Sequence, residues 1–374
     1  MAKQPEKTQP IFGGFYQDKS ILITGHTGFK GSWLALWLHE LGAQVTGFSL
    51  LPNTKPSHFD LIGLEDLIHH IEGDIRDPQA VRKAFDIAKP QIVFHLAAQP
   101  IVRESYEDPK TTFDTNIGGT VNVLEAIRNR PGVRATVVIT SDKCYENQEW
   151  IWGYRENDPL GGRDPYSASK GAVEIVSAAY RCSYFDQEGL GPHLGFATAR
   201  AGNVIGGGDW GKDRIIPDCL RALVTDKPII IRNPQATRPW QHVLDALHGY
   251  LLLAARLVIN PDKFGGAWNF GPQAYDQIPV SVLAERFITA WGGGTIQTPP
   301  FKKAPHEAHL LHLNVEKAVF ELKWKPVLDS SSAIEWTADW YKSWHRSKDN
   351  RRSLSVRQIR EFGDLAASKG LFVS

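Results

Sequence analysis

For some two hundred residues the chain alternates short β-rich runs with helix-patterned stretches, and few architectures accept that alternation. "SILITG" (20–25) reads as a buried strand, and "GSWLALWLHELG" (31–42) follows with helical periodicity. "QVTGFSL" (44–50), "HHIEGDI" (69–75), "QIVFHLAA" (91–98), "ATVVITS" (135–141) and "LGFATARAGNVIG" (194–206) supply the later strands. Between them lie "DPQAVRKAFDIAK", which opens with Asp77 and Pro78 as a helix should, a helix containing "GGTVNVLEAIRN", and "SASKGAVEIVSAAYRCSYF" (167–185). Right-handed crossovers through such helices give an α/β fold with a Rossmann-type, doubly wound parallel sheet. Sheets of this kind bind ligands outside the carboxyl ends of their strands.

After residue 206 the texture changes. Pro, Gly, Trp and Arg become frequent, as in "GGGDWGKDRIIPD" and "RNPQATRPWQHV". Residues 15–206 are therefore expected to form the dinucleotide-binding domain, with part of 240–275 returning to it. Residues 207–240 and 276–350 are expected to form a smaller mixed α/β substrate lobe, and 1–14 and 351–374 to be tails.

Composition excludes several classes. The 42 basic and 41 acidic residues leave a net charge of +1, which gives no electrostatic case for nucleic-acid binding. Cys144, Cys182 and Cys219 are sparse and odd in number, which suggests a reducing compartment. Cys144 follows Lys143, which could favour a thiolate, but a plain buried thiol is the expectation. The start, "MAKQPEKTQP", does not read as a secretory signal, and "LHGYLLLAARLVI" is too short to span a bilayer. A soluble, cytoplasmic protein with no membrane partner is expected.

"LITGHTGFKGSWLA" places Gly25, Gly28 and Gly31 between a strand and a helix. Glycines there let the backbone turn tightly and approach a pyrophosphate at the helix N-terminus. His26, Thr27, Phe29 and Lys30 complete this candidate cofactor turn. An acid at the end of the second strand would hold the adenosine ribose, yet Ser49 stands there, with no arginine after it for a 2′-phosphate. NAD is favoured over NADP. Asp74 and Ile75 fall near the expected adenine. Ala97, Ala98 and Gln99 end the fourth strand and leave room for the cofactor, and Asn116 is a further candidate contact.

Tyr166 and Lys170 share one face of a helix at a spacing of four. A nearby ammonium favours phenolate and should lower the tyrosine pKa, so that Tyr166 can take a proton from a substrate hydroxyl while hydride leaves the same carbon. Tyr-x-x-x-Lys alone is a weak signal. It gains force from the glycine turn and from Ser141, which ends a strand and could bond the same oxygen. Ser141, Asp142 and Lys143 are otherwise an ordinary polar turn.

The glycine turn, "HLAAQ", the Ser-containing strand end and "YSASK" together resemble the extended short-chain dehydrogenase/reductase family, over roughly residues 18–345. Within it the chain resembles the sugar-nucleotide 4,6-dehydratases, which carry an acidic pair after the Ser or Thr, usually Asp-Glu. "TGHTGFKGSWL", "SDKCYEN" and "RPWQHV" resemble the branch that acts on CDP-glucose. The resemblance implies NAD, CDP-glucose as substrate, a homodimer or homotetramer, and a place in deoxysugar synthesis for surface polysaccharide. The implied chemistry is oxidation at C4, loss of water across C5 and C6, and return of hydride to C6. Tyr166 then takes the 4-hydroxyl proton, and a protonated Asp142 donates to the leaving oxygen. Lys143 departs from the family's glutamate. Either it is a base whose pKa burial depresses, or it stays charged and stabilises the enolate.

For the nucleotide, Arg214 and Arg238 suit a pyrophosphate because guanidinium groups bind oxygen pairs in a fork. Asn203, Arg103 and His242 are further candidates, and Glu307 is one for the nucleotide ribose. "HEAHLLH" (306–312) lacks the His-Glu-x-x-His spacing, so no metal is expected there. Three rivals remain: a dTDP-glucose dehydratase, a UDP-sugar 4-epimerase, and an NAD-binding sensor without catalysis. Asp142 and Lys143 argue against the epimerase, which needs no acid at C6.

Overall fold

Seven parallel strands build one sheet: β1 (Ser20–Thr24), β2 (Gln44–Ser49), β3 (His69–Glu72), β4 (Ile92–His95), β5 (Ala135–Ile139), β6 (Gly195–Ala201) and β7 (Gly266–Phe270). Their order is β7-β6-β5-β4-β1-β2-β3, with every neighbouring pair parallel. The structure is a computed structural model that describes residues 11–186, 193–299, 310–346 and 351–371. The strand order reverses between β1 and β4, which opens a crevice at their carboxyl ends.

Both faces of the sheet are covered, which is why its central strands read as unbroken apolar runs. β4, β5 and β6 are buried along their whole length. Successive side chains point to opposite layers. Ile21 and Ile23 join a cluster with Trp33, Trp37, Leu251 and Trp268, beneath α1 (Phe29–Glu40) and α6 (Val243–Ile259). Leu22, Val93 and Val138 join Phe85, Val123, Ile127 and Val173 on the other face. That layer is formed by α2 (Pro78–Ala88), α3 (Gly119–Arg128) and α4 (Pro165–Tyr180). Asp77 caps α2 by accepting from the Gln79 and Ala80 amides, and Asp164 caps α4 by accepting from the Ser167 amide.

Beyond β6 the chain forms α5 (Ile215–Leu223), α7 (Val280–Trp291) and α8 (Ser330–Arg346). Two-residue strand pairs link these pieces, such as Thr237–Arg238 with Ile278–Pro279. Asp245 of α6 accepts from the Val327 and Leu328 amides at 2.6 and 3.3 Å, which ties this part to the sheet.

The two expected tails need correction where they are described. Phe12 is buried, with its ring against Tyr16, Trp37 and His248. Residues 351–368 form a helix, α9 (Arg351–Ser368), docked on α1. Phe362 meets Trp37 edge-on at 5.5 Å, and Ser355 Oγ lies 3.0 Å from His58 Nε2. Arg352 donates to the carbonyls of Ile62 and Gly63. The charged composition of this helix conceals a buried stripe of Ser355, Ile359, Phe362 and Ala366 at helical spacing. Among the described residues no helix is long and apolar enough to cross a membrane.

Candidate active site

A cleft of about 1280 Å³ opens at the carboxyl ends of the strands, between the sheet and the later segments. Its floor is the turn after β1. Gly25 has φ +78°, and a Cβ there would lie 2.6 Å from the Ala97 amide nitrogen, so the ends of β1 and β4 close on each other only through a glycine. Gly28 begins α1 with no side-chain cap, which leaves the first amides of that helix unmet by any cap. Gly25, Thr27, Gly28, Phe29, Lys30 and Gly31 line the cleft. Thr27 Oγ1 meets Ser49 Oγ at 2.9 Å and donates to the Leu50 carbonyl at 2.8 Å. Ser49, where an acid was sought, thus steadies the glycine turn.

The remaining cofactor candidates divide. Asp74, Ile75, Ala97, Ala98 and Gln99 line the cleft. Asp74 pairs with Arg76 at 2.6 Å, and Arg76 lines the cleft beside it. His26 and Asn116 are corrected as direct contacts. The His26 ring packs against Gly47 and Phe59 and bonds His70 at 2.7 Å; burial takes it down to about 3, so it is a neutral core group. Asn116 is buried and spent within the protein. Its Oδ1 accepts from the Gln99 amide at 2.8 Å and its Nδ2 donates to Ser169 Oγ at 2.8 Å, which clamps the loop after β4 to α4. The cradle at Gly25, the uncapped start of α1 and the small residues ending β4 together fit a dinucleotide.

Ser141, Asp142, Lys143, Tyr166 and Lys170 all line the same cleft. The turn Asp142–Cys144 begins just past β5, capped by Ser141. Ser141 Oγ donates to Asp142 Oδ1 at 2.9 Å. Asp142 Oδ2 is buried and has no partner among the described residues. Burial raises the Asp142 pKa, while Lys143 and the Ser141 hydrogen bond oppose the rise. Burial takes Lys170 down to about 8, with Glu174 and Cys144 acting the other way. The expected depression of Tyr166 is not realised. Burial pushes the phenol up to about 12, outweighing the Ser141 hydrogen bond and the Arg214 charge that favour phenolate. Burial also lifts the Cys144 thiol far above its ordinary range, which makes it inert despite Lys143.

Lys30 is the group whose setting the sequence did not disclose. It lies in the first turn of α1, its Nζ 5.9 Å from the centre of the Tyr250 ring. Burial, then Lys170 and Arg214, take it down to about 7, against the pull of Asp142. It therefore reaches from the glycine turn toward the Asp142 and Lys170 cluster.

Across the cleft, Asn203, Arg214 and Arg238 line the opposite wall, and Arg103 lines it from the short helix Val102–Glu107 that follows β4. Asp209 holds Arg214 through both carboxylate oxygens, at 3.1 and 2.9 Å. Arg103 reaches over to Asp213 at 2.9 Å, and Arg232 meets the same carboxylate at 3.2 Å. His242 is corrected as a substrate contact. It is fully buried, accepts from the Leu244 amide at the start of α6 and stacks edge-on against Trp336. Glu307 lies outside the described residues.

A doubly wound parallel sheet whose switch-point cleft carries a Tyr-x-x-x-Lys helix and a Ser-tipped strand defines a nicotinamide-dependent enzyme of the short-chain dehydrogenase/reductase type. Residues 21–270 match the model of the NAD dependent epimerase/dehydratase family, and the chain belongs to that family. It is 48% identical over 349 residues to the CDP-glucose 4,6-dehydratase of Salmonella typhimurium, covering 93% of this chain and 97% of that one. Solved structures share the fold. One is a UDP-glucose 4-epimerase from Thermotoga maritima with UDP-glucose, at TM-score 0.74 and 23% identity over 87% of this chain and 99% of that one. Another is a dTDP-glucose 4,6-dehydratase from Bacillus anthracis with NAD, at TM-score 0.72 and 20% identity over 86% and 96%.

Proposed function

We propose that this protein converts CDP-glucose into CDP-4-dehydro-6-deoxyglucose and water. The observation that carries the reading is the buried Asp142 carboxyl, raised in pKa and with one oxygen unmatched, in the same cleft as Tyr166 and Lys170. An acid there has work in a dehydration and none in a 4-epimerisation. The 48% identity to a CDP-glucose 4,6-dehydratase supports the substrate.

NAD supplies a hydride acceptor at C4 and then the hydride donor at C6. The glycine turn and the start of α1 would hold its pyrophosphate, Asp74 and Ile75 its adenine side, and Lys170 its nicotinamide ribose. Tyr166, which the Ser141 hydrogen bond and the Arg214 charge pull toward phenolate against its burial, accepts the 4-hydroxyl proton. With C4 a ketone, the C5 proton becomes acidic and leaves. Lys143, next to Asp142, either takes that proton or holds the enolate charge while a second base takes it. Asp142 gives its proton to the 6-oxygen, which departs as water, and a proton returns to C5 as hydride enters C6. The proton Tyr166 gained equals the one Asp142 lost, so one transfer resets the site. Arg214 and Arg238, with Asn203 and Arg103, would bind the diphosphate and sugar.

Residues 15–206 with β7 would serve as the dinucleotide half and the later segments as the substrate half. Ile175 on α4, with Tyr106 and Phe113 before α3, is exposed and would pair two copies into a homodimer or a homotetramer; light scattering measures which. The reaction itself is tested by incubation with CDP-glucose, dTDP-glucose and UDP-glucose in parallel. The absorbance of a 4-keto sugar in alkali should appear with CDP-glucose first. A 4-epimer with no keto sugar would overturn the reading.

A further inference from the structure

Glu174 follows Lys170 by one helical turn on α4, and the steps above give it no task. It is fully buried. Its Oε1 accepts from Thr140 Oγ1, and its Oε2 accepts from Thr198 Oγ1 and from Arg200 Nη2, both at 2.7 Å. Arg200 is as deeply buried, and donates through Nη1 to Tyr145 Oη at 2.7 Å and to the Glu156 carbonyl at 3.0 Å. Tyr145 Oη donates in turn to Asn269 Oδ1 on β7 at 2.8 Å. One carboxylate thus joins α4, the end of β5 and β6, and through Arg200 reaches β7.

Such a pair is costly to bury, and an apolar replacement of similar volume is often as stable. Its location gives it a use. Thr140 immediately precedes Ser141 and Asp142, and the helix that carries Glu174 also carries Tyr166 and Lys170. Both halves of the reacting cluster are fastened to this carboxylate, one through Thr140 and the other through the helix itself.

We propose that Glu174 is the positioning residue of the site: it fixes the strand tip bearing Ser141 and Asp142 against the helix bearing Tyr166 and Lys170. The proposal rests on the assignment of Tyr166 and Lys170 given above. The groups facing Lys170 are Lys30 from α1, His95 from β4, Cys144 from the turn after β5 and Glu174 on its own helix. Burial favours the neutral amine, and of these neighbours Glu174 acts most strongly for the ammonium. Without the carboxylate, Lys170 should lose its proton at a lower pH, and the alkaline limb of any step that needs the ammonium should follow it down.

The test compares Glu174→Gln with the wild type in two measurements on the full chain. In the first, kcat with CDP-glucose is followed against pH; the alkaline limb should move down by about one unit while KM changes little. In the second, NAD affinity without substrate is followed by calorimetry over the same range, and its alkaline loss should shift likewise. If the wild type does not turn over CDP-glucose, the substrate assignment fails and the calorimetric shift alone decides the role of Glu174. Should Glu174→Gln not fold, Thr140→Val replaces it. That change cuts one hydrogen bond to the carboxylate, so kcat should fall about tenfold at constant KM, and Thr140→Ser should restore it. Wild-type pH profiles in Glu174→Gln, or wild-type kcat in Thr140→Val, would overturn the proposal.

Discussion

Gly31 lies so close to Gly25 that a Cβ on it would sit 2.1 Å from the Gly25 carbonyl oxygen. The first turn of α1 therefore packs on the end of β1 through bare backbone, and no side chain can yield. Gly31→Ala must push α1 off the strand and spoil the cradle for the pyrophosphate. Overpacking of this kind costs about 1–3 kcal/mol. Purified Gly31→Ala protein should lose most of its bound NAD, read as the ratio of absorbance at the nicotinamide and protein bands after reduction.

Asp142→Asn keeps the shape of the acid and cannot donate its proton. C4 oxidation and loss of the C5 proton need no acid at C6, so the variant should still exchange C5 hydrogen with deuterated solvent. Water elimination should fall by about 10²–10⁴-fold. Mass spectrometry of recovered CDP-glucose reads the first and keto-sugar absorbance the second. Because burial raises the Asp142 pKa, elimination should persist at a pH where an ordinary carboxyl is ionised, and decline as pH rises through the raised value.

Lys143→Ala separates the two roles open to that amine. If Lys143 takes the C5 proton, deuterium exchange stops while C4 oxidation survives as trapped reduced cofactor. If it only holds the enolate charge, exchange slows and persists. Wild-type exchange together with wild-type elimination would remove Lys143 from the mechanism.

Five buried histidines set the acid limit of the fold. His26, His58, His95 and His242 are taken down to about 3, and His248 to about 4, by burial. Their folded pKa values lie below the ordinary 6.5, so the unfolded chain binds protons first as pH falls. The stability they contribute is whole above about pH 6.5 and drains away toward pH 3. Each adds a slope of up to about 1.4 kcal/mol per pH unit in that window. Melting temperature should fall steeply below pH 6, with several protons taken up on unfolding in calorimetry.

Much of this was legible from local pattern. The apolar runs of β1, β4 and β5 and the glycines between β1 and α1 are consecutive in the chain, and consecutive residues are what periodicity reads. The reacting cluster was legible because Ser141 to Lys143 end a strand and Tyr166 and Lys170 share a helix face. What failed depended on distant partners. His242 looks like a binding group beside Arg238, but its ring is fixed by α6 and Trp336. Asn116 looks like a cofactor contact, but Gln99 and Ser169 consume it. Glu174 and Arg200 are 26 residues apart and carry no local sign of their pairing. The α9 helix differs: its buried stripe is present in the sequence at helical spacing, but Arg351, Arg352, Arg357, Arg360, Glu361 and Asp364 around it give the segment the composition of a solvated tail.

The docking of α9 on α1 makes the cofactor half of the molecule depend on a segment far away in sequence. Trp37 of α1 is covered edge-on by Phe362 of α9. Until α9 packs, the opening βαβ unit keeps part of its apolar surface bare. A fragment cut after β6 would keep every glycine of the cofactor turn and still be sticky, because it lacks the helix that shields Trp37.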